Sequence, residues 1–238
     1  MVASKRNTAK GLQALVNAKY IVDETFVDAL VYVATPSDLG EEENTSPLEQ
    51  NFDDAWPKEA DYLPPAGKEP THRPDDVYTP NERRKPIFEG YTFVFGDQAQ
   101  LDLLAPAINA GHGKAILFNV LYGQTTVEDA VQFMRNTAGD KSFGEFRDDE
   151  DNGAVVMVRW KAPEEWKKWA NELMNEVSYA LDQRSIDQGE FLDAILANDS
   201  RLLRRALESA STGAKDDGPI PPSGTKFNCA YSSDSPEN

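Results

Sequence analysis

Apolar side chains recur at helical spacing in Leu12, Leu15 and Val16, and that stripe predicts a helix from Ala9 through Val16 with Thr8 as its N-cap. Tyr20-Ile21-Val22 follows as a short β run. Asp23 then caps a second helix over 24–33, whose apolar face is Phe26, Val27, Leu30 and Val31. A helix–strand–helix of this length cannot bury a stable core alone. Residues 1–35 therefore predict the C-terminal part of an α/β domain.

The pattern resumes further on. Ile87 to Phe95 reads as a strand, and Gln98 to Ile108 as a helix with Leu101, Leu104, Ala105 and Ile108 inward and Pro106 as a distortion. A turn at Gly111-His112-Gly113-Lys114 leads into Ala115–Val120, an almost continuous apolar run of the kind that strands buried on both faces carry. A short helix from Thr126 through Met134, a polar loop over 135–152 and a strand from Ala154 to Trp160 come next. Pro163 starts a helix to about Leu181, with Glu164 and Glu165 in its first turn. Arg184-Ser185-Ile186 forms a minimal strand, and helices over 189–196 and 199–207 close the series. The alternation predicts an α/β fold, a small parallel sheet flanked by helices.

Between the two pieces the chain changes character. Residues 36–80 hold Pro36, Pro47, Pro57, Pro64, Pro65, Pro70, Pro74 and Pro80 and carry a net charge of -9, against +1 for residues 1–35. Proline removes a donor and restrains its predecessor, so a mostly extended linker is expected, anchored by Leu48, Phe52, Trp56, Tyr62 and Leu63. The tail from Ser211 is rich in Gly, Pro, Ser and Asp and is expected to be disordered.

Charge and composition narrow the function. The net charge of -17 argues against broad binding to nucleic-acid phosphates. A single cysteine, Cys229, excludes an internal disulfide and a multi-cysteine zinc site, and two histidines far apart in sequence, His72 and His112, make a histidine metal centre poor. No apolar run is long enough for a membrane span, and the N-terminus lacks the apolar segment of a signal peptide. No catalytic constellation stands out. The turn at 111–114 has the wrong spacing for a phosphate loop, and Cys229 has no nearby histidine. The acidic run 148–151 lacks the interleaved ligands of a calcium loop and reads as solvated. Neither a catalytic residue, a metal site nor a cofactor is expected. Trp160, Trp166 and Trp169 straddle a strand end and a helix start and read as packing rather than a recognition cage.

One cluster carries chemistry. Lys5, Arg6, Thr8 and Lys10 precede or open a helix, where unpaired backbone N–H groups and the helix field favour an anion. A hydroxyl and a lysine there suit a phosphate, including one on a phosphorylated peptide. The plainer alternative is an exposed basic segment with an ordinary cap.

The stretch KRNTAKGLQALVNAKYIVDETFVDALVYVATPSD resembles the C-terminal half of a BRCT domain, with Tyr20-Ile21-Val22 and Phe26 at the aromatic-Ile-Val strand and the buried aromatic. FEGYTFVF…LLAPAINAGHGKAIL resembles the start of the second BRCT domain of the nibrin family, fungal members above all, and the long helix around Trp166 and Trp169 extends the likeness. The resemblance implies residues 1–36 as the end of a first repeat, 37–85 as the acidic connection, 86–210 as the second BRCT domain and 211–238 as a tail. It implies a BRCT-like fold in which Tyr20, Phe26, Phe88, Phe93, Trp160, Trp166 and Trp169 are core or interface aromatics. It implies a nuclear, non-catalytic scaffold of the double-strand-break repair nuclease complex in checkpoint signalling, with phosphorylated damage-response proteins and the complex's own subunits as partners. Lys10 matches the phosphate-contacting lysine of the first repeat and Thr8 falls at the turn before it. The family's remaining pocket groups come from a first strand that would precede residue 1. A phosphate-independent interaction module is the alternative, and a small α/β enzyme a poorer one.

Overall fold

Alternate residues of each central strand are apolar on both sides, and the structure shows why. In the computed structural model, which describes residues 1–36, 45–67, 73–139 and 153–207, strands β1 (Thr92–Phe95), β2 (Lys114–Leu117) and β3 (Val155–Val158) form a parallel sheet in the order β2-β1-β3. Ile186 adds a parallel bridge to Val158 at the β3 edge, where the minimal strand was expected. The register sets Phe93 beside Val156 and Phe95 beside Val158, and these four point to one apolar layer. Val94, Val155 and Met157 point to the other. Helices cover both faces, so β1 and β3 are buried throughout, whereas β2 at the sheet edge is only partly buried and Lys114 is exposed.

On the first face lie α5 (Gln98–Ala110), α8 (Glu190–Ala197) and α1 (Ala9–Val16). Leu12, Leu15 and Val16 of α1 share one cluster with Leu104 and Ile108 of α5 and Phe191 and Ile195 of α8. The front segment thus borrows its core from the sheet domain, as its length requires. It does not join the sheet. Its own β contact is a parallel bridge between Val2 and Val22, with the Ala3 amide donating to the Val22 carbonyl at 2.9 Å. On the second face lie α6 (Val127–Ala138) and α7 (Lys167–Ala180), which bury Ala130, Met134, Ala170, Met174 and Val177. Met1–Leu207 is one compact unit.

Several boundaries differ from the pattern-based expectation. The strand expected from Ile87 begins only at Thr92, because 87–91 makes a turn in which Gly90 has φ +82° and the Phe88 amide donates to the Gly111 carbonyl at 2.8 Å. The strand expected to Val120 ends at Leu117. The helix opened by Thr126 runs on to Ala138, which is buried, and the Asp129 carboxyl in its capping box is held below the usual range by the Thr126 amide and hydroxyl. The helix at Pro163 is a 3-10 turn over Glu164–Trp166 followed by α7. The helix expected over 199–207 is a single 3-10 turn, Ser200–Leu203.

The expected extended linker is instead a series of short helical turns where it is described. After α2 (Glu24–Ala34) come α3 (Pro47–Gln50) and α4 (Phe52–Ala55), then 3-10 turns at Glu59–Tyr62, Asp75–Tyr78 and Glu82–Arg84. Proline disfavours helix interiors but suits a first helical position, and Pro47 sits there behind a Ser46–Glu49 capping box. Of the expected anchoring aromatics, Trp56 and Tyr62 pack edge-on against Phe26 at 6.1 and 5.4 Å, whereas Phe52 is exposed and meets only Trp56. Tyr78, outside the expected anchors, is fully buried. His72, the acidic run 148–151, Cys229 and the tail lie outside the described residues.

Candidate functional site

The mouth of α1 is built by Thr8. Its backbone is extended, its Oγ1 accepts the Gly11 amide at 3.1 Å and its carbonyl accepts the Leu12 amide at 2.9 Å. The Ala9 and Lys10 amides, first in the helix, have no such partner among the described residues, so an anion arriving here meets two free donors. A Cβ on Gly11 would lie 2.5 Å from the Arg6 carbonyl oxygen, so the loop before the helix folds tightly against its first turn.

The four basic-cluster candidates separate. Thr8 and Lys10 share the mouth, and Lys10 is exposed. Lys5 is exposed in the loop before it. Arg6 is buried and its guanidinium is spent on the 75–78 turn: Nη1 is 2.7 Å from Asp75 Oδ1, and the group lies over the Tyr78 ring. Arg6 therefore holds the loop rather than presenting charge to a ligand at the mouth.

Two depressions flank α1. On one side, Lys10 and Lys19 rim a groove of about 540 Å³ floored by Ala14, Val22, Phe26 and Trp56. On the other, Asn7, Ala9 and Leu12 form one wall of a cleft of about 740 Å³. The opposite wall comes from the sheet domain: Asp97, Gln100 and Leu104 at the start of α5, Arg159, Trp160 and Lys161 after β3, and Gly189, Leu192 and Asp193 at the start of α8. The helix mouth thus opens beside a cleft between the front segment and the sheet.

Arg159 is the ordered cation of that cleft. Its Nη1 donates to Asn175 Oδ1 and to Ser185 Oγ, both at 3.1 Å, and its Nη2 to Asn171 Oδ1 at 3.4 Å. Sequence reasoning missed this group. The available signal was the spacing of Asn171 and Asn175, four apart and hence on one face of α7.

The aromatics separate by place. Phe88 and Phe93 are fully buried and meet Phe191 edge-on at 5.7 and 4.8 Å. Trp160 is buried over Gly96, where a Cβ would overlap its ring. Trp166 and Trp169 are half-buried and meet each other at 6.2 Å, and both contact Tyr122, at 6.0 and 5.9 Å. Each ring of this cluster thus contacts the other two. Phe26 is buried among linker aromatics, whereas Tyr20 is exposed.

His112 is exposed in a left-handed turn with φ +66°. No helix among the described residues is long and apolar enough to cross a membrane, and no group of three metal-ligating side chains occurs among them.

A family model described as the second BRCT domain on Nijmegen syndrome breakage protein matches residues 82–206. That span contains the whole sheet and the helices α5 to α8.

Proposed function

The chain belongs to the nibrin family through this second BRCT domain, and from that premise we propose that it is a scaffold subunit of the double-strand-break repair nuclease complex that binds phosphorylated partners in the nucleus. BRCT domains are protein-interaction modules and generally non-catalytic, which fits a chain with no nucleophile–base pair in its sequence pattern. In the same reading residues 1–36 are the end of a first repeat and 37–85 the connection to the second.

The observation that carries the reading is the juxtaposition at α1. Two amides without a partner among the described residues, the Thr8 hydroxyl and the exposed Lys10 are the groups to which this reading assigns the phosphate, and it assigns the adjoining peptide to the cleft that Asn7, Ala9 and Leu12 line on one side of α1. The phosphate supplies affinity at the helix mouth, and the sheet domain supplies the contacts that select the sequence around it.

Titration of a phosphoserine peptide against the full chain and its Lys10→Ala variant tests this. Affinity falls at least several-fold in the variant if Lys10 faces the phosphate. Equal affinity overturns the assignment.

A second reading has its own observation. Val31 and Tyr32 of α2 are 59% and 79% exposed, an apolar face suited to a phosphate-independent protein contact. An interaction that survives phosphatase treatment of the partner favours that reading.

A further inference from the structure

We propose that Thr79 is an acceptor for a proline-directed protein kinase, and that a phosphate there releases the turn that ties the loop before α1 to α8. The inference concerns the linker and does not rest on ligand binding at the α1 mouth.

Four Ser/Thr-Pro pairs occur in the chain: Thr35-Pro36, Ser46-Pro47, Thr79-Pro80 and Ser235-Pro236. The structure separates them. Ser46 is 2% exposed, and its hydroxyl is held in the capping box of α3. Ser235 lies outside the described residues. Thr35 and Thr79 are both exposed. Thr35 ends α2, where its Oγ1 donates to the Val31 carbonyl at 2.7 Å. Thr79 stands in a different setting. Proline bars its predecessor from the helical region, and Thr79 is extended, with φ -65° and ψ 153°. Asn81, beyond Pro80, is extended too, with φ -139° and ψ 111°. The acceptor and its proline thus lie in a short extended strip between two 3-10 turns, the form in which a kinase cleft takes its substrate. Arg83 and Lys85 follow, both exposed. In a chain of net charge -17 they give this acceptor a basic flank that a kinase surface can read. In the transfer, Thr79 Oγ1 bonds to the γ-phosphorus of ATP, the bond from that phosphorus to ADP breaks, and the hydroxyl proton passes to the kinase's base.

The consequence follows from what Thr79 closes. Its Oγ1 donates to the Asp76 carbonyl at 2.7 Å, and its amide donates to the same oxygen at 3.1 Å, which completes the Asp75–Tyr78 turn. That turn carries both partners of Arg6, the Asp75 carboxylate and the Tyr78 ring. On its other side, Arg84 donates to the Val77 and Thr79 carbonyls and to the Ile195 carbonyl of α8. One turn therefore joins the loop before α1 to α8. A phosphate removes the hydrogen that the Asp76 carbonyl accepts and adds close to two negative charges. It enters a stretch that already holds Asp75, Asp76 and Glu82. Lys85 is paired with Glu82, and the Arg84 guanidinium is engaged with three carbonyls. Repulsion raises the energy of the closed turn more than that of the open chain, where the charges separate. When the turn opens, Arg6 loses both partners together.

The test treats the full chain with a purified mitogen-activated protein kinase and magnesium ATP. Peptide mass spectrometry maps the phosphate, and NMR amide hydrogen exchange follows the modified chain. Phosphate is expected on Thr79, lost from that peptide in Thr79→Ala and added several-fold more slowly in Arg83→Gln. The Gly11 and Leu12 amides, remote in sequence from the modification, are expected to exchange at least about tenfold faster once Thr79 is modified, while Val94 in β1 keeps its rate. Raising the salt to about 0.5 M reduces that gain, because the charges are exposed. Thr79→Val removes the hydroxyl bond without adding charge and is expected to speed exchange less than the phosphate does. Absence of phosphate from Thr79, with or without modification of Thr35, overturns the proposal. Unchanged exchange at Gly11 and Leu12 in the modified chain overturns the release, and slower exchange shows that the phosphate tightens the turn instead. An equal gain in Thr79→Val overturns the role given to charge.

Discussion

The Arg6 guanidinium lies 4.4 Å from the centre of the Tyr78 ring, and both side chains are buried. This contact joins the loop before α1 to a turn some seventy residues later in the chain and fixes where the helix mouth opens.

The pair is lopsided, and that decides the expected energies. The Arg6 side chain is 4% exposed but Asp75 is 77% exposed, so the ion pair is screened on one side. Asp75→Asn is expected to cost under about 1 kcal/mol. Arg6→Ala removes a buried stem and a desolvated cation–π contact, and is expected to cost about 3 kcal/mol. Urea denaturation of the two variants checks the order. A larger loss for Asp75→Asn contradicts it.

Arg84 holds the linker to the sheet domain in a different way. It is buried, its Nε donates to the Ile195 carbonyl at 2.9 Å, and Nη1 and Nη2 donate to the Thr79 and Val77 carbonyls at 2.8 and 2.6 Å. Burial pushes its pKa down from the usual arginine value. Arg84→Lys keeps a charge but loses the fork, stranding carbonyls that cost on the order of 1–3 kcal/mol each. A loss of roughly 3 kcal/mol is expected by denaturant unfolding, and a change below 1 kcal/mol would show that the three bonds are dispensable.

Gly153 and Gly90 meet backbone to backbone. Gly153 has φ +114° and Gly90 has φ +82°, and a Cβ on Gly153 would overlap the Gly90 carbonyl. Gly153→Ala adds strain and overlap at the entrance to β3 and is expected to cost about 3 kcal/mol. Gly139 has φ +58° but open space around it, so Gly139→Ala is expected to cost about 1 kcal/mol. Comparing their melting temperatures separates strain from crowding.

Much of the fold was legible because several elements follow a local rule. Caps at Thr8, Asp23, Asp97 and Thr126 stand where four of the helices begin, and apolar runs mark the strands, of which β1 and β3 are buried throughout. The linker turns were not legible, because proline count disfavours long elements without forbidding single turns such as Pro47–Gln50. At the candidate site, Thr8 and Lys10 could be read from a helix start. Arg6 could not be told apart from them, since its partners Asp75 and Tyr78 are remote in sequence. Arg159 escaped for the same reason: its role depends on Asn171, Asn175 and Ser185, brought in by the packing of α7 and the Ile186 edge.

The central claim is that the α1 mouth and the sheet-domain wall form one peptide-binding surface. Backbone amide NMR of the full chain, titrated with a phosphoserine peptide, tests it most directly. The account predicts that Lys10 and Gly11 shift together with Gln100 and Lys161, along one binding curve, and that the unphosphorylated peptide moves none of them at the same concentration. Shifts confined to the exposed face of α2, or identical curves with and without the phosphate, would contradict it.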